Sequence, residues 1–355
     1  MRTVHFVVPD GIDDPERPSG GNTYDRNLSD ELTSVGWSVQ EHPVSGFWSR
    51  PHAASFVALD QVARRIPDDS LVVLDGLVAS TAPEVVVPHT RRLRLVVLVH
   101  MPLGHRPGDG DAEDIRAREG AVLSAAIAVV TTSGWSRRRL MELYELPADR
   151  VHVAQPGVDA AELAPGTDTG EALLSVAAVT PDKGHDVLLD SLAAVLDLAW
   201  RCVCVGSLDR EPEYVEELRR RSLAGGLADR VRLAGTATGA ALDRAYADAD
   251  VMVLASRAET YGMVVTEALA RGLPVIAADV GGVAEALGQA SDGIRPGLLV
   301  PPGDPIALAG ALRSWLGDAE LRTRLRRAAG ERRELLRRWS TTSSIVAEVL
   351  IGLER

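Results

Sequence analysis

The segment Val251-Met-Val-Leu-Ala-Ser-Arg-Ala-Glu259-Thr-Tyr-Gly-Met-Val-Val-Thr-Glu267-Ala-Leu-Ala-Arg-Gly272 decides how the chain is read. Its first six residues are a β-like run, and residues 268–272 are a helix-like run. Glu259 then falls in the loop where a strand ends, and Glu267 about two turns into the next helix. A loop at the carboxyl end of a parallel strand is where open α/β sheets bind ligands. Backbone N–H groups of Tyr261, Gly262 and Met263 point out of such a helix start, toward an anion such as phosphate. A carboxylate accepts two hydrogen bonds side by side, which suits vicinal sugar hydroxyls. Phosphate donors flanked by two diol acceptors describe a nucleotide-sugar site. Either acid alone has a plainer role, Glu259 as a helix cap and Glu267 as a solvated helix residue. The whole block carries the reading.

Outward from this block the chain alternates strand and helix. In the first half, β-rich runs occur at Val4–Val8, Trp37–His42, Leu71–Leu74, Leu93–Val99, Ile127–Thr131 and Val151–Ala154. Helical patterns lie between most of them, as at Asn22–Val35, Ala53–Ile66 and Ser136–Leu146. In the second half, strands are expected at Leu173–Val179, Arg201–Val205, Val231–Leu233, Val251–Ala255, Pro274–Ala277 and Gly297–Val300. This alternation predicts parallel sheets with helices on both faces. At 355 residues two domains are expected. Residues 155–170, rich in Pro, Gly and Asp, are the linker candidate. The expected domains are residues 1–157 and 158–339, with a final helix at 340–355 folding back onto the first.

Composition narrows the function. With 46% hydrophobic and 25% charged residues the chain is globular. A net charge of −12 argues against a nucleic-acid partner. Cys202 and Cys204 share one strand face and read as small core residues in a reducing compartment. The amino-terminal apolar run is too short for a signal peptide, and no segment reaches membrane-span length. A cytoplasmic protein is expected. Neither a G-x-G-x-x-G fingerprint nor a G-x-x-x-x-G-K-[ST] loop follows any strand, which disfavours dehydrogenases and NTPases. No G-x-S-x-G elbow occurs. Asp248-Ala-Asp250 precedes its strand and Asp109-Gly-Asp111 has no strand leading into it, so no metal site is assigned to either. All but one of the 38 basic residues are arginine. The single lysine, Lys183, sits with Gly184 between the Leu173–Val179 run and a helical pattern at Val187–Leu198, a placement suited to a diphosphate.

Together these residues resemble the retaining, GT-B-fold glycosyltransferases of family 4, over nearly the whole chain and most strongly from Val151 to Leu316. The resemblance rests on the E-x7-E block 259–267, on Gly281-Gly-Val-Ala-Glu285, on Gly297-Leu-Leu-Val-Pro-Pro-Gly-Asp304 and on Gln155-Pro-Gly-Val-Asp159. It implies two Rossmann-like, doubly wound α/β domains facing a cleft, an amino-terminal acceptor domain and a carboxy-terminal donor domain. It also implies metal-independent transfer of a sugar from a nucleotide-diphosphate sugar with retention, and no cofactor. By the same resemblance Glu267 would bind the ribose, and Glu259 the transferred sugar. The N–H groups of Tyr261, Gly262, Met263 and Val264 would bind sugar hydroxyls and phosphate, and Lys183 the diphosphate. Gly20 and Gly21 would form a glycine-rich loop near the donor phosphates and acceptor, and His100 would lie near the sugar.

One departure stands out. The family's Gly-Arg before the lysine is Ala177-Ala178 here, and Arg257 is the candidate replacement cation. The Pro9–Ser19 loop, with Asp10, Asp13, Asp14 and Glu16, is acidic and could shape the acceptor site. The acceptor, a small molecule, glycan or lipid, is not readable, nor is oligomeric state. Rival functions are another GT-B enzyme, an epimerase or a phosphorylase, or a non-catalytic nucleotide-sugar-binding protein. The stretch from Trp135 through Arg137–Arg139 either makes weak peripheral contact with anionic headgroups or starts a packing helix. The acidic balance favours the packing helix.

Overall fold

A computed structural model describes residues 2–15, 18–105 and 112–354. The chain divides into two compact units, Met1–Gly157 with Arg337–Arg355, and Val158–Leu336. In the first half the elements run β1 (Arg2–Pro9), α1 (Gly20–Ser34), β2 (Trp37–Val44), α2 (Ala53–Arg65), β3 (Leu71–Asp75), α3 (Gly76–Ser80), α4 (Pro83–His89) and β4 (Arg94–Val99). They continue as α5 (Ala112–Ala125), β5 (Ala128–Thr131), α6 (Gly134–Tyr144) and β6 (Val151–Val153). The second half begins with β7 (Ala172–Val176), α7 (His185–Ala193), β8 (Arg201–Val205), α8 (Pro212–Ala224), β9 (Val231–Gly235) and α9 (Gly239–Ala247). Then come β10 (Val251–Leu254), α10 (Met263–Ala270), β11 (Val275–Ala278), α11 (Val283–Leu287), β12 (Gly297–Val300), α12 (Pro305–Gly317), α13 (Ala319–Glu334) and α14 (Trp339–Leu353).

Each unit holds one six-stranded sheet, ordered β2-β1-β3-β4-β5-β6 in the first and β12-β11-β10-β7-β8-β9 in the second. Every pairing is parallel. Strands buried on both faces read as unbroken apolar runs, as in Leu95–Val99 and β10, all buried. The order reverses between β1 and β3 in the first sheet and between β7 and β10 in the second. Such switch points leave a crevice at the strands' carboxyl ends.

Helix starts follow their capping chemistry. The Ser19 hydroxyl accepts from the Asn22 N–H at the head of α1. The Asp304 carboxylate accepts from Ile306 and Ala307 N–H groups ahead of Pro305, which is pre-set for the first helical position. Helix α14 packs on α1, where the Trp339 ring meets the edge of Tyr24 at 5.5 Å. Gly157 lies so close that a Cβ there would sit 2.3 Å from the Trp339 nitrogen.

Several expected boundaries move. The strand expected at Leu173–Val179 ends at Val176, and the helix expected at Val187–Leu198 spans His185–Ala193. Cys202 and Cys204 are buried as expected. Residues 164–167 are not free linker, because they are tied to the second unit. There the Ala164 N–H donates to the Arg271 carbonyl and the Thr167 N–H to the Asp250 carboxylate.

Candidate active site

In the second unit the loops after β7, β10 and β11 converge. The turn Pro181–Lys183 ends on Gly184, whose φ is +67°. A Cβ there would lie 2.1 Å from the Ala255 carbonyl oxygen, so only glycine lets the turn press onto the end of β10. This contact brings the Lys183 Nζ to 2.7 Å from the Glu259 Oε1. The Ser256 hydroxyl donates to the same oxygen at 2.9 Å. Lys183 and Glu259 therefore meet at the switch point between β7 and β10. Lysine carries three N–H donors, so the ammonium keeps capacity for an anion after binding Glu259.

Arg257 does not stand as a free cation. Its guanidinium grips both oxygens of Asp186, at 2.8 and 2.6 Å, and donates to the Pro181 carbonyl. Its own N–H donates to the Asp182 carbonyl at 2.7 Å. The Asp186 carboxylate thus engages the guanidinium that was expected to face the diphosphate. Arg257 staples the Lys183 turn to the Glu259 loop. Asp186 is held well below the usual carboxylate range, because the Arg257 and Tyr214 hydrogen bonds outweigh the cost of burial.

Helix α10 begins later than the sequence implied. Gly262, with φ +90°, is the cap, and Met263 and Val264 open the first turn. Tyr261 precedes the cap and buries its ring among Leu174, Met252 and Val283. Glu267 is the fifth residue of the helix, a little over one turn in rather than two. Its Oε2 accepts from the Tyr246 hydroxyl at 2.8 Å, a partner missed in the sequence. Burial raises the Glu267 pKa, opposed by Tyr246 and Arg271. The Arg271 guanidinium lies 4.4 Å over the Tyr246 ring.

In the first unit Gly20 and Gly21 are the first two residues of α1, not a loop. A Cβ on Gly21 would lie 3.2 Å from the His100 Cδ2. His100 follows β4, and its Nε2 lies 2.7 Å from the Asp25 Oδ1 and 3.5 Å from the Asp75 Oδ2. Asp25, on α1, and Asp75, ending β3, are buried. Neither was singled out in the sequence. The other oxygen of Asp75 caps α3, accepting from Leu77 and Val78 N–H groups. Burial and the neighbouring Asp25 charge raise the Asp75 pKa to about 7. Burial disfavours a charged His100, but Asp25 and Asp75 outweigh it, and the imidazole pKa is raised. These three side chains are the one group among the described residues with ligand atoms close enough to share a cation. The 2.7 Å Nε2–Oδ1 spacing is that of a hydrogen bond.

Asp250 is structural. Buried at the amino end of β10, its carboxylate accepts from Thr167, Ala172 and Arg326. Asp109–Asp111 lies outside the described residues, as does Glu16 of the acidic loop. In the stretch read as a candidate headgroup contact, Arg137 donates to the Ala148 and Val151 carbonyls and Arg139 to His105. The Trp135 ring meets that of His105 at 4.9 Å. Only Arg138 of the three arginines is exposed, and the stretch opens helix α6. No helix among the described residues is long and apolar enough to cross a membrane.

Comparison with known proteins adds to this geometry. Residues 164–332 match the family described as Glycosyl transferases group 1. The chain is 35% identical over 247 residues to a D-inositol 3-phosphate glycosyltransferase of Jonesia denitrificans, covering 63% of this chain and 57% of that one. It is 34% identical over 270 residues to the enzyme of that name from Kineococcus radiotolerans, covering 68% and 61%. The chain thus spans less than two thirds of the length of these relatives. Among solved structures it shares the fold of sucrose-phosphate synthase from Thermosynechococcus elongatus, with a TM-score of 0.80, 21% identity and 99% of each chain covered. It likewise matches Anabaena HepE in complex with UDP and glucose, with a TM-score of 0.79, 20% identity and 99% of each chain covered. The architecture is that of the GT-B glycosyltransferases, built on two parallel α/β sheets of Rossmann type.

Proposed function

We infer, from a second unit that carries the group 1 glycosyl transferase match, that this chain is a glycosyltransferase. It takes the sugar of a nucleotide-diphosphate sugar to a small-molecule, glycan or lipid acceptor, with retention and without a metal or cofactor. The observation that carries the reading is the Lys183–Glu259 pair at the β7/β10 switch point, with Glu267 on the helix that follows. Lys183 and the opening N–H groups of α10 stabilise the charge that builds on the departing diphosphate. Glu259 holds the sugar and Glu267 the ribose hydroxyls. Within the first unit His100, backed by Gly21, is the residue that orients substrate. In the step, the anomeric carbon–phosphate oxygen bond breaks and the acceptor oxygen bonds to that carbon on the same face. The acceptor's proton passes to the departing diphosphate. The residues' work is positioning and charge stabilisation.

A UDP-glucose type of donor is supported by the fold shared with HepE, which binds UDP and glucose. The relatives' names point to a hydroxyl-bearing acceptor. The net charge of −12 favours a non-nucleic-acid role, and a cytoplasmic location fits the lone pair of buried, free cysteines. The test is thermal stabilisation by UDP-, GDP-, ADP- and dTDP-sugars, run beside Glu267→Ala. Ligands that bind only the folded state raise the melting temperature. A rise with one nucleotide class, lost in the variant, is expected. No rise with any donor would overturn the reading.

A further inference from the structure

The proposed roles make no use of the two buried carboxylates beside His100, Asp25 and Asp75. Among the described residues the Asp25 carboxylate has a single hydrogen-bond partner, the His100 Nε2. An uncompensated buried charge is costly, so Asp25 and His100 are energetically bound to each other. The ring is clamped on several sides. The Tyr24 ring meets it edge-on at 5.1 Å, and Gly21 packs so closely that a Cβ would lie 3.2 Å from Cδ2. Tyr24 is itself fixed by its hydroxyl, which donates to the Ala154 carbonyl. Asp25 and Asp75 are the charged groups that face the ring, one from α1 and one from the end of β3. Among the described residues Nδ1 has no hydrogen-bond partner and is not one of the fully buried unpaired atoms, on a side chain that is 18% exposed.

We propose that Asp25 is the positioning residue that locks His100 with Nε2–H donated inward, so that Nδ1–H is the donor offered to an oxygen of bound substrate. This inference rests on the proposed function and specifies the chemistry of the histidine within it. The paired carboxylates favour the imidazolium over the neutral ring. His100 then acts as a hydrogen-bond donor, and not as the base that removes the acceptor's proton. The pH dependence has a definite sign. A donor role is lost as pH rises through the His100 pKa, whereas a base role would be gained.

The test follows the imidazole C–H resonances of the full chain by NMR across pH, with His100 assigned by its disappearance in His100→Gln. His100 is expected to titrate above 6.5 in the wild type. In Asp25→Asn, which keeps an acceptor in place but removes the charge, its pKa should fall by roughly one unit or more. UDP release from UDP-glucose, followed in the same buffers, should decline at high pH in the wild type. In the Asn variant that decline should begin at lower pH by the same interval. Asp25→Glu, which retains the charge, should keep the wild-type titration and serves where the Asn variant does not fold. An unchanged His100 titration in Asp25→Asn overturns the proposal, as does a loss of turnover equal at every pH or a wild-type rate that rises with pH. Absence of UDP release from the wild type counts against the donor reading, while the titration still decides the role of Asp25.

Discussion

Lys183 and Glu259 share one 2.7 Å contact, so their functions are coupled. Replacing either with alanine should lower turnover at least about tenfold, equivalent to roughly 1.4 kcal/mol of barrier. The double variant should lose less than the product of the two, because residues in direct contact are not additive. Steady-state rates of the three variants decide this, and wild-type turnover in both single variants would remove the pair from the site. Tyr246 acts differently. Its ring is fully buried, and its hydroxyl alone reaches Glu267. Tyr246→Phe keeps the packing and frees the Glu267 oxygen from its donor. The loss of about 1 kcal/mol expected for one hydrogen bond should appear as a roughly fivefold rise in donor KM. With kcat unchanged, the lost interaction is one made equally in the ground and transition states. A fall in kcat at constant KM would instead put Tyr246 in the chemical step.

Between the elements, glycines set how closely the site loops approach. Gly281 has φ +60°, and a Cβ there would lie 1.5 Å from the Glu259 carbonyl oxygen. Gly281→Ala must therefore displace the Glu259 loop, at a cost on the order of 1–3 kcal/mol. The expected result is a lower melting temperature together with a lost donor shift. A stable variant that still binds donor would show that the loop yields without consequence. Arg257→Lys should also impair turnover, since an ammonium cannot reproduce the fork that holds both Asp186 oxygens and Pro181. Most of the strand–helix alternation was legible in the sequence because parallel strands buried on both faces leave continuous apolar runs. Glu259, Glu267 and Lys183 were legible because each follows such a run at short range. The start of α10 was misplaced because Gly262 adopts a left-handed cap that delays the helix. Asp25 and Tyr246 were illegible for another reason. A polar residue inside a helical pattern looks solvated, and their partners lie 75 and 21 residues away.

Across the molecule, titrating groups in the two units pull stability in opposite directions with pH. Asp75, with its pKa raised to about 7, binds its proton more tightly folded than unfolded. Its contribution is full at pH values below the ordinary carboxylate pKa and is lost as pH rises toward 7. His185 does the reverse. It is 2% exposed, and neither ring nitrogen has a hydrogen-bond partner among the described residues. Burial pushes its pKa down to about 4. The unfolded chain therefore takes the proton first, at about 6.5. The contribution of His185 is complete above that pH and is lost as pH falls from about 6.5 to 4. At about 1.4 kcal/mol per pH unit this amounts to roughly 3 kcal/mol. Leucine in its place carries no proton and leaves no unpaired polar atom, so His185→Leu should be at least as stable as the wild type at pH 7.5. Thermal melts of the full chain between pH 7.5 and 4 check the rest. The wild-type melting temperature should fall more steeply than that of His185→Leu, with the two curves separating below pH 6.5. Parallel curves would mean that the folded chain accepts the proton at His185 as readily as the unfolded one, and that the imidazole is not held neutral beside the Lys183 turn.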